Sequence, residues 1–286
     1  MLALGIAAAV GASVLYNTSI ALQALEARGV GHEHSLRPSL LGRLARNRKW
    51  LGATAIGFAG WPLEIAALLL APLTVVQPCI ASGLILLLWL GATRLDEPLG
   101  RREVVAVGAI VAGVAGVALA APERTTDHAG AGAMTLALAV VALPVLAPYA
   151  LRPRAVAFGT LAVISAGCGY AWTAIATKLL TDELATGALL GLAWLATIAV
   201  SEGLALLSEM SALQRRRATH VAPAMFAVQV LVPVLLAPLV FGESWGSTPL
   251  DGAVLVASMA VAIAGTVLLA GSSAIGSVIE AAHSEG

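Results

Sequence analysis

Nine apolar stretches, each close to the length needed to cross a bilayer, leave this chain few ways to fold. They run Leu2–Ala24, Trp50–Ala71, Thr74–Ala92, Glu103–Ala121, Ala133–Leu151, Ala155–Leu180, Thr186–Leu207, His220–Phe241 and Leu250–Gly271. About 20 apolar residues in a helix span the hydrocarbon core. No water reaches the backbone there, so segments of this length satisfy their hydrogen bonds as helices. Charged residues make up only 11% of the chain, against about 25% in a soluble domain. The expected fold is an all-α integral membrane protein with nine transmembrane helices, multi-pass in the cell (plasma) membrane, with the lipid bilayer as its first partner.

Lysine and arginine orient the spans. Fourteen of the sixteen fall in odd-numbered loops: Arg28 to Lys49, Arg94 to Arg102, Arg152 with Arg154, and Arg215 to Arg217. The exceptions are Arg124 and Lys178. Odd loops are thus expected in the cytoplasm, with the N-terminus outside and the C-terminus inside. The first apolar run lacks a basic region and a clear cleavage site, and reads as a retained helix, not a signal peptide. Residues 25–49 form a basic loop in which Pro38–Lys49 sets Leu40, Leu41 and Leu44 against Arg43, Arg46, Arg48 and Lys49. That pattern predicts a short amphipathic helix on the inner leaflet. Residues 272–286 are small and polar and are expected to fray as a disordered tail. No basic patch is interleaved with aromatics, so no nucleic-acid partner is implied. Cys79 and Cys168 lie in apolar runs and read as small packing residues.

The chain also repeats itself. Leu63-Glu64-Ile-Ala-Ala-Leu68 matches Ser208-Glu209-Met-Ser-Ala-Leu213 at an offset of 145, and Val76-Gln77-Pro78 matches Val221-Ala222-Pro223 at the same offset. Glu97 has a counterpart in Glu243, Ala115-Gly116 in Ala264-Gly265, and Thr18–Leu25 a weaker one in Thr173–Leu180. Five helices separate equivalent elements, an odd number, so the second copy should be inverted. Two inverted-topology repeats follow, five helices in 1–151 and four in 152–271. Such repeats characterise secondary transporters, whose sites lie near the midplane between the halves.

The stretch from Gly60 through Ala-Pro-Leu-Thr-Val-Val-Gln-Pro78, with Asp96-Glu97, Val-Ala-Pro223 and Gly242-Glu243-Ser-Trp245, resembles the drug/metabolite transporter (EamA-like) superfamily. The spacing is most similar to its NIPA-type magnesium transporters. The resemblance implies nine spans, an outside N-terminus, transport by alternating access and helix-end roles for Glu97 and Glu243. The chain departs from the NIPA pattern where that family carries a glutamate and an asparagine. Trp61 and Glu64 stand there, and Leu-Leu-Ser-Glu209-Met-Ser-Ala-Leu replaces an asparagine-rich element.

Candidate site residues are those whose burial in a membrane is costly. A mid-span acid costs about 2.5–3.5 kcal/mol on insertion scales. Glu64 lies on a stripe of otherwise small residues, Ala53, Gly57, Gly60, Ala67 and Ala71, so its face should meet another helix. Pro62, beside it, frees the carbonyl of Phe58. Glu202 and Glu209 share a face of the seventh span, where Glu209 could instead pair with Arg215 or Arg216. Tyr16 and Asn17 in the first span, and Gln77 and Gln229 in the repeat-related third and eighth, complete the candidate substrate-binding set. Glu64 and Glu202 could together hold a hydrated divalent cation such as magnesium. Alternatively the carboxylates titrate and drive proton-coupled export of a small organic metabolite or drug. A membrane-embedded lipid enzyme is a further alternative, though the chain carries no familiar hydrolase or nucleotide motif. No catalytic residue and no cofactor is assigned. His32-Glu33-His34 reads as a solvated trio, Lys178 as snorkelling in preference to serving as a counter-ion to Glu64, and Gly108-Ala112-Gly116-Ala120 as a close-packing face. A small ion or molecule is the expected ligand, and a homodimer is compatible with the missing tenth helix.

Overall fold

The computed structural model describes residues 2–70, 73–120, 131–151, 155–185, 193–240 and 248–284. These residues form ten α-helices: α1 (Leu2–Arg28), α2 (Pro38–Leu44), α3 (Arg48–Leu70), α4 (Leu73–Arg94), α5 (Arg101–Leu119), α6 (Ala131–Leu151), α7 (Ala155–Ala185), α8 (Ala193–Leu213), α9 (Ala218–Val240) and α10 (Ala253–Ser284). A short 3-10 turn, His32–His34, precedes α2. Every helix but α2 falls on one of the nine apolar stretches. Six of them, α1, α5, α6, α7, α8 and α9, are long and apolar enough to cross a membrane. The chain is an α-helical multi-pass membrane protein. Helix α10 continues to Ser284 through the polar tail that was expected to fray.

Neighbours recur in two sets. Helix α1 packs against α3 and α4, and α4 against α5. Helix α7 packs in the same way against α8 and α9, and α9 against α10. The two sets meet chiefly through α5 against α10, with α4 against α9. Helix α6 lies on α7, α8 and α9. Individual contacts recur as well. Gly11 meets Leu63 in the first set, and Ser165 meets Ser208 in the second. Ser13 donates to the carbonyl of Ile80, and Gly167 lies against the carbonyl of Met225. These pairs relate α1 to α7 by 154 residues and α3 and α4 to α8 and α9 by 145. The match of Thr18–Leu25 to Thr173–Leu180 is therefore one residue out of register. The difference of nine residues falls in the connection that houses α2.

Equivalent helices run in opposite directions. Trp50, at the start of α3, donates its Nε1–H to the sulfur of Met210, near the end of α8, at 3.3 Å. Three basic loops come together at this end of the molecule. Gln214 donates to the carbonyl of Val30, and Glu97 accepts from the backbone of Ala218.

Two expectations are corrected. The leucines of α2 do not face a leaflet. Leu40 and Leu44 are fully buried in the main core with Leu207, Met210 and Leu213, because Leu36 and Ser35 are tied to the end of α8 by hydrogen bonds to Ser211 and Gln214. Periodicity shows that a helix has an apolar face, whereas its neighbours decide what covers that face. The close-packing stripe of α5 holds only in its second half, where a Cβ at Gly116 would collide with Ser258 of α10 and Ala120 is buried. A Cβ at Gly108 would meet nothing within 4 Å, whereas one at Gly113 would lie 2.5 Å from the backbone nitrogen of Ala262. A Cβ at Gly265 would likewise lie 2.6 Å from the carbonyl oxygen of Ala106. Helix α5 thus meets α10 through Ala106, Ile110, Gly113 and Gly116.

Backbone atoms cannot yield as a flexible side chain can, so Gly113→Val should destabilise the protein by about 1–3 kcal/mol. Gly108→Ala should stay within about 0.5 kcal/mol of the parent. Thermal unfolding in detergent measures both, and equal effects would refute this account of the interface.

Candidate functional site

Helix α1 presents Ser19 and Tyr16 to the stripe on α3. The hydroxyl of Ser19 donates to the carbonyl of Ala53 at 2.8 Å, and a Cβ at Gly57 would collide with it. A Cβ at Gly60 would lie 2.7 Å from the ring of Tyr16. Glycine at 60 therefore lets the phenol lie on the α3 backbone and reach one turn further, where its hydroxyl donates to Glu64 at 2.7 Å. Ala53 and Ala67 on the same stripe are buried. Glu64 is half-buried against α1, while Phe58 and Trp61 on the other side are exposed. The carboxylate faces a helix, as its stripe predicts.

The second set repeats this arrangement. Glu209 on α8 is buried and accepts a hydrogen bond from the hydroxyl of Tyr170 on α7 at 2.5 Å. Tyr170 and Glu209 stand 154 and 145 residues after Tyr16 and Glu64. The small residue one turn before the acid is Gly60 in one case and Ala205 in the other, and Ala205 packs on Gly169. Tyr170 is absent from the residues that sequence reasoning singled out. The one-residue slip in the α1-to-α7 register aligns Tyr16 with Ala171 and conceals it.

A hydroxyl network adjoins Glu209. Ser208 bonds both Tyr149 on α6, at 2.8 Å, and Ser165 on α7, at 2.9 Å. The alternative partners for Glu209 are engaged elsewhere. Arg215 stacks over Phe158 with its guanidinium 4.6 Å from the ring centroid, and Arg216 donates to Thr160 at 2.9 Å. Burial lowers the proton affinity of the Arg216 guanidinium, which lies in the connection before α9.

The other candidates are dispersed. Glu202 is exposed on α8 beside Thr173, within electrostatic range of Tyr170 and Glu209. Asn17 is buried; its amide donates to the carbonyl of Ser13 at 2.9 Å, and its Oδ1 has no partner among the described residues. Gln229 is half-buried on α9. Gln77 and Lys178 lie outside the described side chains, and Glu243 outside the described residues. An open groove of about 510 Å³ between α1 and α4, lined by Val10, Ser13, Val14, Ser82, Gly83 and Trp89 among others, contains none of the carboxylates.

Depth along the helices separates the acids. Trp50 and Met210 are level with each other. Glu64 lies fourteen residues along α3 from Trp50, and Glu202 eight residues along α8 from Met210. At 1.5 Å per residue they stand roughly 9 Å apart along the bundle axis. Glu64 is five residues past Ala59, the middle of α3, and Glu209 six past Gly203, the middle of α8. The two Tyr–Glu pairs thus sit on opposite sides of the centre, each about 8 Å from it. Among the described residues no basic side chain forms an ion pair with Glu64, Glu202 or Glu209. No group of three or more His, Cys, Asp or Glu is placed to hold a metal among them either. Glu33 and His34 do pair, at 3.4 Å, on the exposed first loop.

No family model, curated protein or solved structure matches the chain significantly.

Removing the phenol hydroxyl leaves each acid without its donor. Tyr170→Phe should destabilise the protein by about 1 kcal/mol, in the range of hydrogen bonds between membrane helices. Tyr16→Phe should cost less, because Glu64 is only half-buried. Chemical denaturation in detergent measures the pair, and a larger loss at Tyr16 would contradict the burial argument.

Proposed function

We propose that this protein is a secondary membrane transporter of the drug/metabolite type, working by alternating access between two inverted sets of helices. In this reading the nine long helices all span the plasma membrane, with the N-terminus outside and the basic loops in the cytoplasm. The observation that carries the proposal is the recurrence of one Tyr–Glu pair on oppositely running helices, on either side of the bundle centre. Among the described residues neither acid has a cationic partner, and a structural carboxylate gains nothing from being repeated at two depths in that state. A carrier with two access states needs equivalent groups facing each of them.

The disposition of the acids favours proton coupling. In a low-dielectric bundle a carboxylate without a cationic neighbour is stable when it holds a proton or a positively charged solute. Glu64 and Glu209 each receive one phenol and keep acceptor capacity for either. The solute is therefore a small organic molecule bearing a cationic or N–H group, exchanged for protons. A hydrated magnesium-like ion shared by Glu64 and Glu202 is the weaker reading, because the two acids stand roughly 9 Å apart along the axis, too far for both to ligate one ion directly. A lipid enzyme would need clustered acid–base groups at one end; the described ones there, Glu97 and Glu103, are taken up by contacts at helix ends.

Purified protein in liposomes carrying an internal pH dye and a magnesium dye tests these readings together. Proton flux should be driven by primary or quaternary ammonium compounds. Glu64→Gln and Glu209→Gln should each reduce it at least tenfold. Magnesium entry without proton movement would establish the divalent-cation reading. Unchanged flux in Glu64→Gln would remove that residue from the site, and no flux of any tested solute would defeat the transporter proposal.

A further inference from the structure

The buried acid with the most partners is not in either Tyr–Glu pair. Glu97 follows α4 in a tight turn in which its own N–H donates to the carbonyl of Gly91 at 3.0 Å. Asp96 adopts a left-handed backbone, φ 52°, which Asp tolerates better than most residues. The turn places the Glu97 carboxylate under the first turn of α9. It accepts from the backbone N–H groups of Ala218, at 2.7 Å, and Thr219, at 3.0 Å, from the Thr219 hydroxyl at 2.5 Å, and from Arg28 at the end of α1. Gly91 makes the approach possible, since a Cβ there would stand 2.3 Å from the methyl of Thr219. Arg217, which precedes α9, cannot accept a hydrogen bond through its side chain. The capping of α9 is thus supplied from the other set of helices.

More contacts between the sets collect at the same end. Gln214 donates to the carbonyl of Val30 at 2.9 Å and accepts from the hydroxyl of Ser35 at 2.7 Å. The N–H of Leu36 donates to Ser211 at 2.9 Å. Trp50 meets Met210 here, and Arg102 reaches the carbonyl of Leu268 at 3.2 Å.

We propose that these contacts form a single releasable latch, held by Glu97, that shuts the basic end of the bundle. The chemistry suits release. When α9 moves away, Glu97 keeps Arg28 on its own side of the interface. The first-turn N–H groups of α9, together with Gln214 and Ser35, then find water in place of each other. Neither side is left with an unanswered buried charge. As a gate the latch rests on the transporter reading; as a cooperative contact it does not.

Two measurements test it. Hydrogen–deuterium exchange of the full-length protein in lipid nanodiscs reads the latch without requiring transport. Glu97→Gln, and more mildly Thr219→Val, should speed exchange at least tenfold both in the first turn of α9 and in residues 30–36, which do not touch Glu97. Acceleration confined to residues 218–221 would reduce Glu97 to a helix cap and overturn the proposal. Melting temperature and monodispersity identify any variant that merely misfolds, and Thr219→Val then decides the question. The second measurement is a reversible lock, Ser35→Cys with Gln214→Cys in a Cys79→Ser, Cys168→Ser background. Oxidation should stop flux at least tenfold and reduction should restore it. Full turnover with the cross-link formed would overturn the gate. Absence of flux in the parent, with exchange still coupled across both segments, would defeat the transporter reading and leave the latch standing.

Discussion

The close approach of α1 to α3 and α4 is the constraint on which the rest depends. Without a hydrophobic drive between helices in lipid, packing is won where side chains are missing. Gly57 and Gly60 admit Ser19 and Tyr16 from α1, and Gly83 admits Ser13 and Asn17. Once the ring of Tyr16 lies on the backbone at Gly60, its hydroxyl has little choice but to meet a group one turn along α3, and that group is Glu64. A side chain at Gly60 would separate the helices and strand the acid. The same logic holds in the second set with the glycine moved to the other partner. Gly167 on α7 faces Val228 on α9, where Ser13 on α1 faces Gly83 on α4. Only the sum of the two side chains at the crossing is constrained.

This trade explains why the repeat is partly hidden in the sequence. Glu64 and Glu209 align because an acid in an apolar run has few substitutes. Tyr16 and Tyr170 do not, because the residues around them are small and interchangeable and the match of Thr18 to Thr173 pulls the register one residue too far. The helices themselves were legible from apolar length alone, since a bilayer admits few alternatives to a helix. The environment of α2 was not. Alternating leucine and arginine describes an amphipathic helix equally well on a lipid surface or on protein, and the hydrogen bonds from Ser35 and Leu36 to α8 are what place it on protein. The packing face of α5 escaped for a related reason. Glycine and alanine recur on more than one face of α5, and only the partner helix distinguishes Gly113 from Gly108.

Counting donors separates the buried acids by role. A carboxylate offers about four acceptor positions. Glu97 fills them with two backbone N–H groups, a hydroxyl and a guanidinium, an arrangement with no free acceptor position for a ligand. Glu103 is bound by the backbone of Gly100 at 2.9 Å and stands 3.8 Å from His220, again at a helix end. Glu64 and Glu209 each have one neutral donor among the described residues. The first kind of acid sits at helix ends and joins neighbouring helices through several donors at once. The second is left under-coordinated at real cost in a membrane, and it recurs at two depths. That contrast, more than the mere presence of acids in apolar helices, is what supports the proposal that Glu64 and Glu209 exchange partners during transport.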